Sequence, residues 1–317
     1  MKENLTSEIP KIFGKRAEIS WKNVEPLVFA FYYIWYEKEK GMKNAAHRPK
    51  IGEYSSDSTD VISYHFDLCR KAGIDCLIVS WGGKDNKYNN IIPLLLNEGY
   101  EKGVKISLYY EEVPSFNRED FVDEIVYILK NYSSHPAYLK LGDKPVIFFY
   151  DRITMQMSPV NIALSILDIE KIHSEGIVAI GGGFSYINAQ IFDGVHEYFV
   201  GEEYVNKNLN EIKKISCWKY NYQVKLLEEK IITKRKISCL PIIPGYDDIK
   251  IRNGFKIERF DGKLYQILWK QAIKAKPDWI LITSFNEWWE GTEIEPSEEY
   301  GEKYINMTKI YSKMFKK

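Results

Sequence analysis

The stretch Ser58–Trp81, STDVISYHFDLCRKAGIDCLIVSW, decides the fold. Ser58–Ala72 carries apolar side chains at helical spacing and halts at Gly73, a residue that caps a helix without steric cost. Asp75–Trp81 follows at once as a short strand. It is apolar almost throughout rather than at alternate positions, as a strand covered on both faces must be. The same unit recurs along the chain. Strands are predicted at Leu27–Tyr33, Val104–Tyr110, Lys144–Tyr150, Ile177–Ile180, Val195–Val200, Ser238–Ile243 and Asp278–Ser284. Helices are predicted at Asn89–Lys102, Arg118–Asn131, Pro159–Ser174, Tyr222–Ile232, Asp261–Lys274 and Tyr300–Met314. Parallel neighbours need long crossovers, and eight strands alternating with helices fit an α/β fold of the (β/α)8 TIM barrel type. An open doubly wound sheet is the alternative, but Gly181-Gly182-Gly183 is not GxGxxG and no nucleotide fingerprint follows the first strand. With no linker or repeat in sight, residues 1–317 read as one catalytic domain, with 1–26 as an N-terminal extension.

Composition narrows the partners. Lys plus Arg and Asp plus Glu both number 44, so no global basic field recruits nucleic acid or an acidic membrane. The apolar runs are strand-length, too short to span a bilayer. Met1–Ser20 lacks the apolar core of a signal peptide, and Cys69, Cys76, Cys217 and Cys239 form neither a CxxC pair nor a zinc spacing. Reduced thiols and a cytoplasmic location are the expectation. His47, His65, His135, His173 and His196 show no ligand spacing, so no metal is expected.

Barrel enzymes carry their chemistry on the loops that follow the strands. Here those loops hold Trp35 and Tyr36 after the first strand, Glu111 and Glu112 after the third, and Pro244-Gly245-Tyr246-Asp247-Asp248 with Arg252 after the seventh. After the eighth comes Phe285-Asn286-Glu287-Trp288-Trp289-Glu290-Gly291-Thr292-Glu293-Ile294-Glu295-Pro296. Glycosidic bonds are split by paired carboxyl groups, one of which protonates the leaving oxygen. Glu287 and Glu290, three apart, share a face in a helical turn and can do so in a tight loop. Trp288 and Trp289 lower the local polarity, which raises a carboxyl pKa and suits acid work. The competing reading is a pair of solvated loop glutamates. Two carboxylates, two tryptophans and an Asn at the end of the last barrel strand weigh against it.

The run Asn286–Pro296 resembles the signature of glycoside hydrolase family 99, the endo-α-1,2-mannosidases and endo-α-1,2-mannanases. Tyr32-Tyr33-Ile34-Trp35-Tyr36, Pro49–Asp57, Ala72-Gly73-Ile74-Asp75, Lys144-Pro145-Val146, and Pro244–Asp248 with Arg252 are similar to further motifs of that family, in the same order. The resemblance implies a retaining endo-acting enzyme on α-mannosidic linkages of an oligosaccharide or glycan, with no cofactor. It implies that Glu287 is the base on the sugar 2-hydroxyl, giving a 1,2-anhydro sugar. Glu290 then first protonates the leaving oxygen and later activates the water. It also implies that Glu111, Tyr198 and Arg252 bind the sugar beyond the cleaved bond and that Tyr33 lines the cleft. Trp35, Trp81, Tyr246, Asp248, Asn286 and Trp288 complete the expected substrate-binding set. For each of these, packing or a local ion pair is the alternative; Asp247 and Asp248 could simply hold Arg252 or cap a turn. Glu293 and Glu295 are expected to stand behind the site or face solvent.

Two departures bear on the substrate. The family often has His where Trp289 stands, and a second Trp where this chain has Gly82. Rival functions are a transglycosylase on the same site and a catalytically silent glycan-binding barrel. A silent binder has no need of both glutamates.

Overall fold

The computed structural model describes residues 14–42, 44–198, 201–228 and 234–317. Eight parallel strands close on themselves: β1 (Leu27–Tyr32), β2 (Cys76–Trp81), β3 (Lys105–Tyr110), β4 (Lys144–Phe149), β5 (Val178–Gly182), β6 (Gly194–His196), β7 (Ile237–Ile242) and β8 (Trp279–Ile282). Closure is made by β8, which lies between β7 and β1 with Trp279 opposite both Cys239 and Leu27. The barrel expected from the strand–helix alternation is thus present.

A helix follows each strand: α1 (Thr59–Ala72), α2 (Ile92–Lys102), α3 (Arg118–Asn131), α4 (Pro159–Ile172), α5 (Tyr186–Ile191), α6 (Leu209–Leu226), α7 (Lys263–Ala275) and α8 (Lys303–Phe315). The Gly that ends α1, Gly73, has φ 74°, a left-handed value that costs an L side chain and suits glycine. Two apolar layers result. Phe29, Phe31, Tyr109, Phe148 and Trp279 fill the barrel interior. Val28, Ala30, Leu77, Val79, Ile106 and Leu108 point outward beneath the helices. Alternate residues of one strand therefore serve opposite layers, which is why the strands read as uniformly apolar. At the N-terminal end of the barrel, buried Arg16 pairs with Glu170 at 2.5 Å and with Asp193.

Four elements depart from the sequence reading, the first being α5, Tyr186–Ile191, where no helix is predicted. The sixth helix begins at Leu209, not Tyr222, on a capping box formed by Asn208 and Glu211; the end predicted for it, residues 229–232, lies outside the described residues. The sixth strand stops at His196, and the predicted positions Phe199 and Val200 also lie outside them. The loop after β7 is not plain coil. Tyr246–Asp247 pairs antiparallel with Lys256–Ile257, and a short helix, Ile249–Arg252, lies between the two.

Candidate active site

The loop after β8 is fixed from below by its own residues and from the side by the loop after β1. Ser284 Oγ accepts the Glu287 N–H at 2.7 Å and meets Thr292 Oγ1 at 2.8 Å. Gly291, at φ 58°, turns the chain back so that Glu290 O can accept the Asp247 N–H at 2.8 Å. Asn286 stitches the loop to β1: its Oδ1 accepts the Tyr33 N–H at 2.8 Å and its Nδ2 donates to Tyr33 O at 2.9 Å. Tyr36 adds a second stitch, donating its hydroxyl to Asn286 O at 2.7 Å and accepting the Trp288 N–H at 3.0 Å.

The two glutamates held by this frame have different surroundings. Glu287 is 2 % exposed, and its Oε1 accepts the Trp289 N–H at 3.0 Å. Burial pushes its pKa well above the ordinary carboxyl range, and the adjacent charge of Glu290 pushes the same way. Glu290 has a donor on each oxygen: the Tyr198 hydroxyl at 2.9 Å on Oε2 and Arg252 Nη1 at 2.8 Å on Oε1. The Arg252 side chain is 53 % exposed, so this ion pair sits at the solvent edge of the site. A third carboxyl, Glu111 at the end of β3, has a sealed Oε1 with no hydrogen-bond partner. Burial pushes its pKa up to about 7, against a hydrogen bond from Ser80 that lowers it.

Aromatic rings line the space between these groups. The Tyr33 phenol is raised above its usual pKa by burial and, after that, by the charges of Glu111, Glu287 and Glu290. Trp35 stacks on Trp289 at 5.8 Å and 18°, and Tyr33 packs on Trp35 at 4.6 Å. Beside Trp35 and Glu111 a hollow of about 230 Å³ opens toward Tyr150 and Arg152. Gly82 lines it, so the bulk of a second Trp is absent there.

The structure thus brings together Tyr33, Trp35, Glu111, Tyr198, Arg252, Glu287 and Glu290. The remaining residues of the expected substrate set are buried and turn their polar atoms to the protein. Trp81 is 1 % exposed and borders the hollow beside Trp35 and Glu111; its ring stacks on Tyr127 of α3 and its indole N–H donates to Asn89. Trp288 lies in the barrel layer with its indole N–H on Glu295 Oε2 at 3.1 Å. Tyr246 donates to Asp248 Oδ2 at 2.9 Å, and Asp248 accepts the Phe255 N–H at 2.9 Å, which shapes the turn that presents Arg252. Asn286 works through the Tyr33 backbone, as described. Glu293 and Glu295 are buried behind the loop rather than facing solvent. Glu293 receives Arg259 and His47, while Glu295 receives Tyr54 at 2.8 Å. Among the described residues, no group of His, Cys, Asp and Glu could hold a metal ion.

A site with two adjacent carboxyls of unlike environment, walled by tryptophan and tyrosine at the C-terminal rim of a barrel, suits glycosidic chemistry. The sequence profile of Glycosyl hydrolase family 99 matches residues 37–310. The chain belongs to this family. It is a glycoside hydrolase, and its substrate is a glycan. Among its relatives is the glycoprotein endo-alpha-1,2-mannosidase of Mus musculus, 24% identical over 353 residues, covering 89% of this chain and 71% of the mouse protein. The Xenopus laevis protein of the same description is 28% identical over 280 residues, covering 78% and 57%. The GH99 endo-alpha-mannosidase of Bacteroides thetaiotaomicron superposes with a TM-score of 0.74 at 23% identity, covering 91% of this chain and 97% of the other. A Streptomyces cattleya GH5_18 protein shares the fold at a TM-score of 0.58 and 9% identity, covering 93% and 81%.

Several residues of this family 99 site carried no signal that sequence reading used. Tyr54 and Ser284 act through contacts with the loop, and Tyr36 stood in a motif without an assigned task. The partners of Tyr54 and Tyr36 lie far along the chain, as with Tyr36 and Asn286, so no local spacing reveals them; those of Ser284 are local. Arg259 is another: it sits over the rings of Tyr300 and Tyr304 at 4.7 and 4.6 Å and donates to Gly291 O at 3.0 Å.

Proposed function

We propose that this family 99 chain is a retaining, endo-acting α-mannosidase for α-1,2-type linkages, working through a 1,2-anhydro sugar. The observation that carries the reading is the unequal pair: Glu287 buried with a raised pKa, Glu290 gripped at the rim by Tyr198 and Arg252. A raised pKa makes Glu287 a stronger base once it is ionised. In the first step Glu287 takes the proton of the sugar 2-hydroxyl, O2 bonds to C1, and the C1–oxygen bond to the leaving sugar breaks. Glu290 supplies the proton to the departing oxygen. In the second step water attacks C1 and gives a proton to Glu290, the epoxide C1–O2 bond opens, and Glu287 returns its proton to O2. Two displacements at C1 retain its configuration. The pair must begin with its proton on Glu290, whereas burial favours it on Glu287 in the free site. Substrate binding therefore has to move that proton. A 2-hydroxyl donating to Glu287 stabilises its ionised form and drives the transfer. Names of relatives in three vertebrate and bacterial species support the α-mannosidic substrate class.

The test is product analysis on α-1,2- and α-1,3-linked manno- and gluco-oligosaccharides, with NMR of the first anomer released. Internal cleavage of α-1,2-manno linkages with retention is the expected result. A 2-deoxy substrate should be inert. Glu287→Gln and Glu290→Gln should each fold yet lose about 10²–10⁴-fold in rate. An activated aryl leaving group should partly rescue only Glu290→Gln. Rapid turnover of the 2-deoxy substrate, or a covalent sugar adduct on Glu287, would overturn the epoxide route.

A further inference from the structure

The outer face of α6 carries an aromatic pair that the active site does not use. Trp218 is 70% exposed and Tyr222 52% exposed, one helical turn apart. Their rings are stacked at 5.6 Å and 7°. Large apolar rings left in water need a reason, because a monomer's helix normally turns such residues inward. On one side of the pair lies a hollow of about 910 Å³ between α6 and α7. Four of the residues lining it, Lys213, Lys214, Lys225 and Lys274, are cations, and among the described residues no carboxylate lines it. No ion pair holds any of these four among the described residues.

On its other side the pair borders a second hollow, of about 790 Å³, which it shares with Phe184, Glu197, Glu203 and Lys219. Those same four residues also line a third hollow, of about 610 Å³, whose far end reaches Tyr150 and Tyr198. Tyr198 is the hydroxyl on Glu290. The surface is therefore continuous from the catalytic rim to the aromatic ridge and over it to the lysine-lined trough.

We propose that the Trp218–Tyr222 ridge is a second glycan-binding platform, holding a remote, anion-bearing stretch of the same polymer whose other part occupies the cleft. Flat exposed rings suit the C–H faces of pyranose sugars, and Tyr and Trp give contact area with little rotamer entropy to lose. The lysine-lined side sets the class of ligand: on that side of the ridge a glycan substituted with phosphate or another anion meets four cations and, among the described residues, no opposing carboxylate. A second copy of the chain is disfavoured by the same charges, since a two-fold interface would set these lysines against their own counterparts.

The sugar of the probe rests on the α-mannosidic reading; the platform itself does not. Affinity electrophoresis would be run with Glu287→Gln, so that the polymer stays intact, in gels containing phosphate-bearing α-mannan, its dephosphorylated form, or single-stranded RNA. Phosphorylated mannan should retard the protein most, and Trp218→Ala/Tyr222→Ala added to that background should weaken retention about tenfold or more. Lys213→Gln/Lys274→Gln should remove the preference for the phosphorylated polymer. In the active enzyme the aromatic double variant should raise KM for the polymer and leave kcat/KM for a short oligosaccharide unchanged. The proposal is overturned if no polymer is retained, if neutral and phosphorylated mannan are retained equally, or if RNA is bound more tightly through the same rings. It is equally overturned if the double variant loses activity on short and long substrates alike, or if its effect is to abolish a dimer. Failure to cleave α-1,2-mannosides alongside ridge-dependent retention would refute the proposed reaction and leave the platform standing.

Discussion

Replacing Glu111 by Gln should make the protein more stable at neutral pH, and the gain should have a defined pH window. Glu111 has its pKa pushed up to about 7 by burial. An unfolded Glu titrates near ~4.3. Between these values the folded chain binds more protons than the unfolded one, so the carboxyl's contribution is intact below about 4.3 and declines as pH rises toward 7. Each pH unit is worth about 1.4 kcal/mol, which gives a ceiling of about 3–4 kcal/mol across the window. The residue keeps partial contact with solvent even though Oε1 is sealed, and screening reduces the figure to about 2 kcal/mol. The amide keeps the shape and does not ionise, so Glu111→Gln should match the wild type near pH 4 and exceed it by about 2 kcal/mol above pH 7. The Glu111 charge also helps to raise the Glu287 pKa, so its removal relieves Glu287 and adds to the gain in the same direction. Urea unfolding at constant ionic strength, in steps from pH 4 to 8, measures the gap. A substrate-like oligosaccharide should narrow it, because a sugar hydroxyl can donate to the unpartnered oxygen of the wild type. A gap that is flat with pH, or that widens toward acid, would refute the reasoning.

Other perturbations separate support from chemistry. Arg252→Ala should cost less than about 1 kcal/mol in stability, because the side chain is 53 % exposed, yet lower kcat/KM by about 10–100-fold through loss of a charged hydrogen bond; normal kinetics with a much lower melting point would make Arg252 structural. Asn286→Ala leaves the buried N–H and C=O of Tyr33 without partners, which at about 1–3 kcal/mol each should lower the urea midpoint strongly; a midpoint equal to wild type would show that water replaces the amide. Dialysis against EDTA, and addition of Mg²⁺, Ca²⁺ or Zn²⁺, should leave the rate unchanged; restoration of a lost rate by one metal would count against the two-carboxyl mechanism.

Most of the barrel was legible because each strand–helix unit states itself locally. Arg118–Asn131 starts and stops where its periodicity does, and Gly73 and Gly103 end their helices in the left-handed conformation. The exception, α6, is instructive. Its exposed Trp218 and Tyr222 spread apolar residues around the helix and blur the stripe, so only its C-terminal part was recognised, although Asn208 and Glu211 announced its start. In the site, the acidic pair could be named from its place after the last strand, while Tyr33, Glu111, Tyr198 and Arg252 were named through the family resemblance. The tasks of Asn286 and Trp288 could not, since burial depends on which distant segment covers a loop. Trp81 shows the same limit: period two along β2 assigns it to one of two faces, and only the fold says which is the helix side.

The position of β8 has a consequence for biosynthesis. A nascent chain emerges N-terminus first. Until Trp279–Ile282 has left the ribosome, β1 and β7 each present an unpaired edge, the kind of template that draws in foreign strands. The segment that closes both edges is followed within a few residues by Asn286, Glu287 and Glu290. A polypeptide arrested before this point is therefore inert toward glycans and sticky at the same time, and one late insertion cures both conditions.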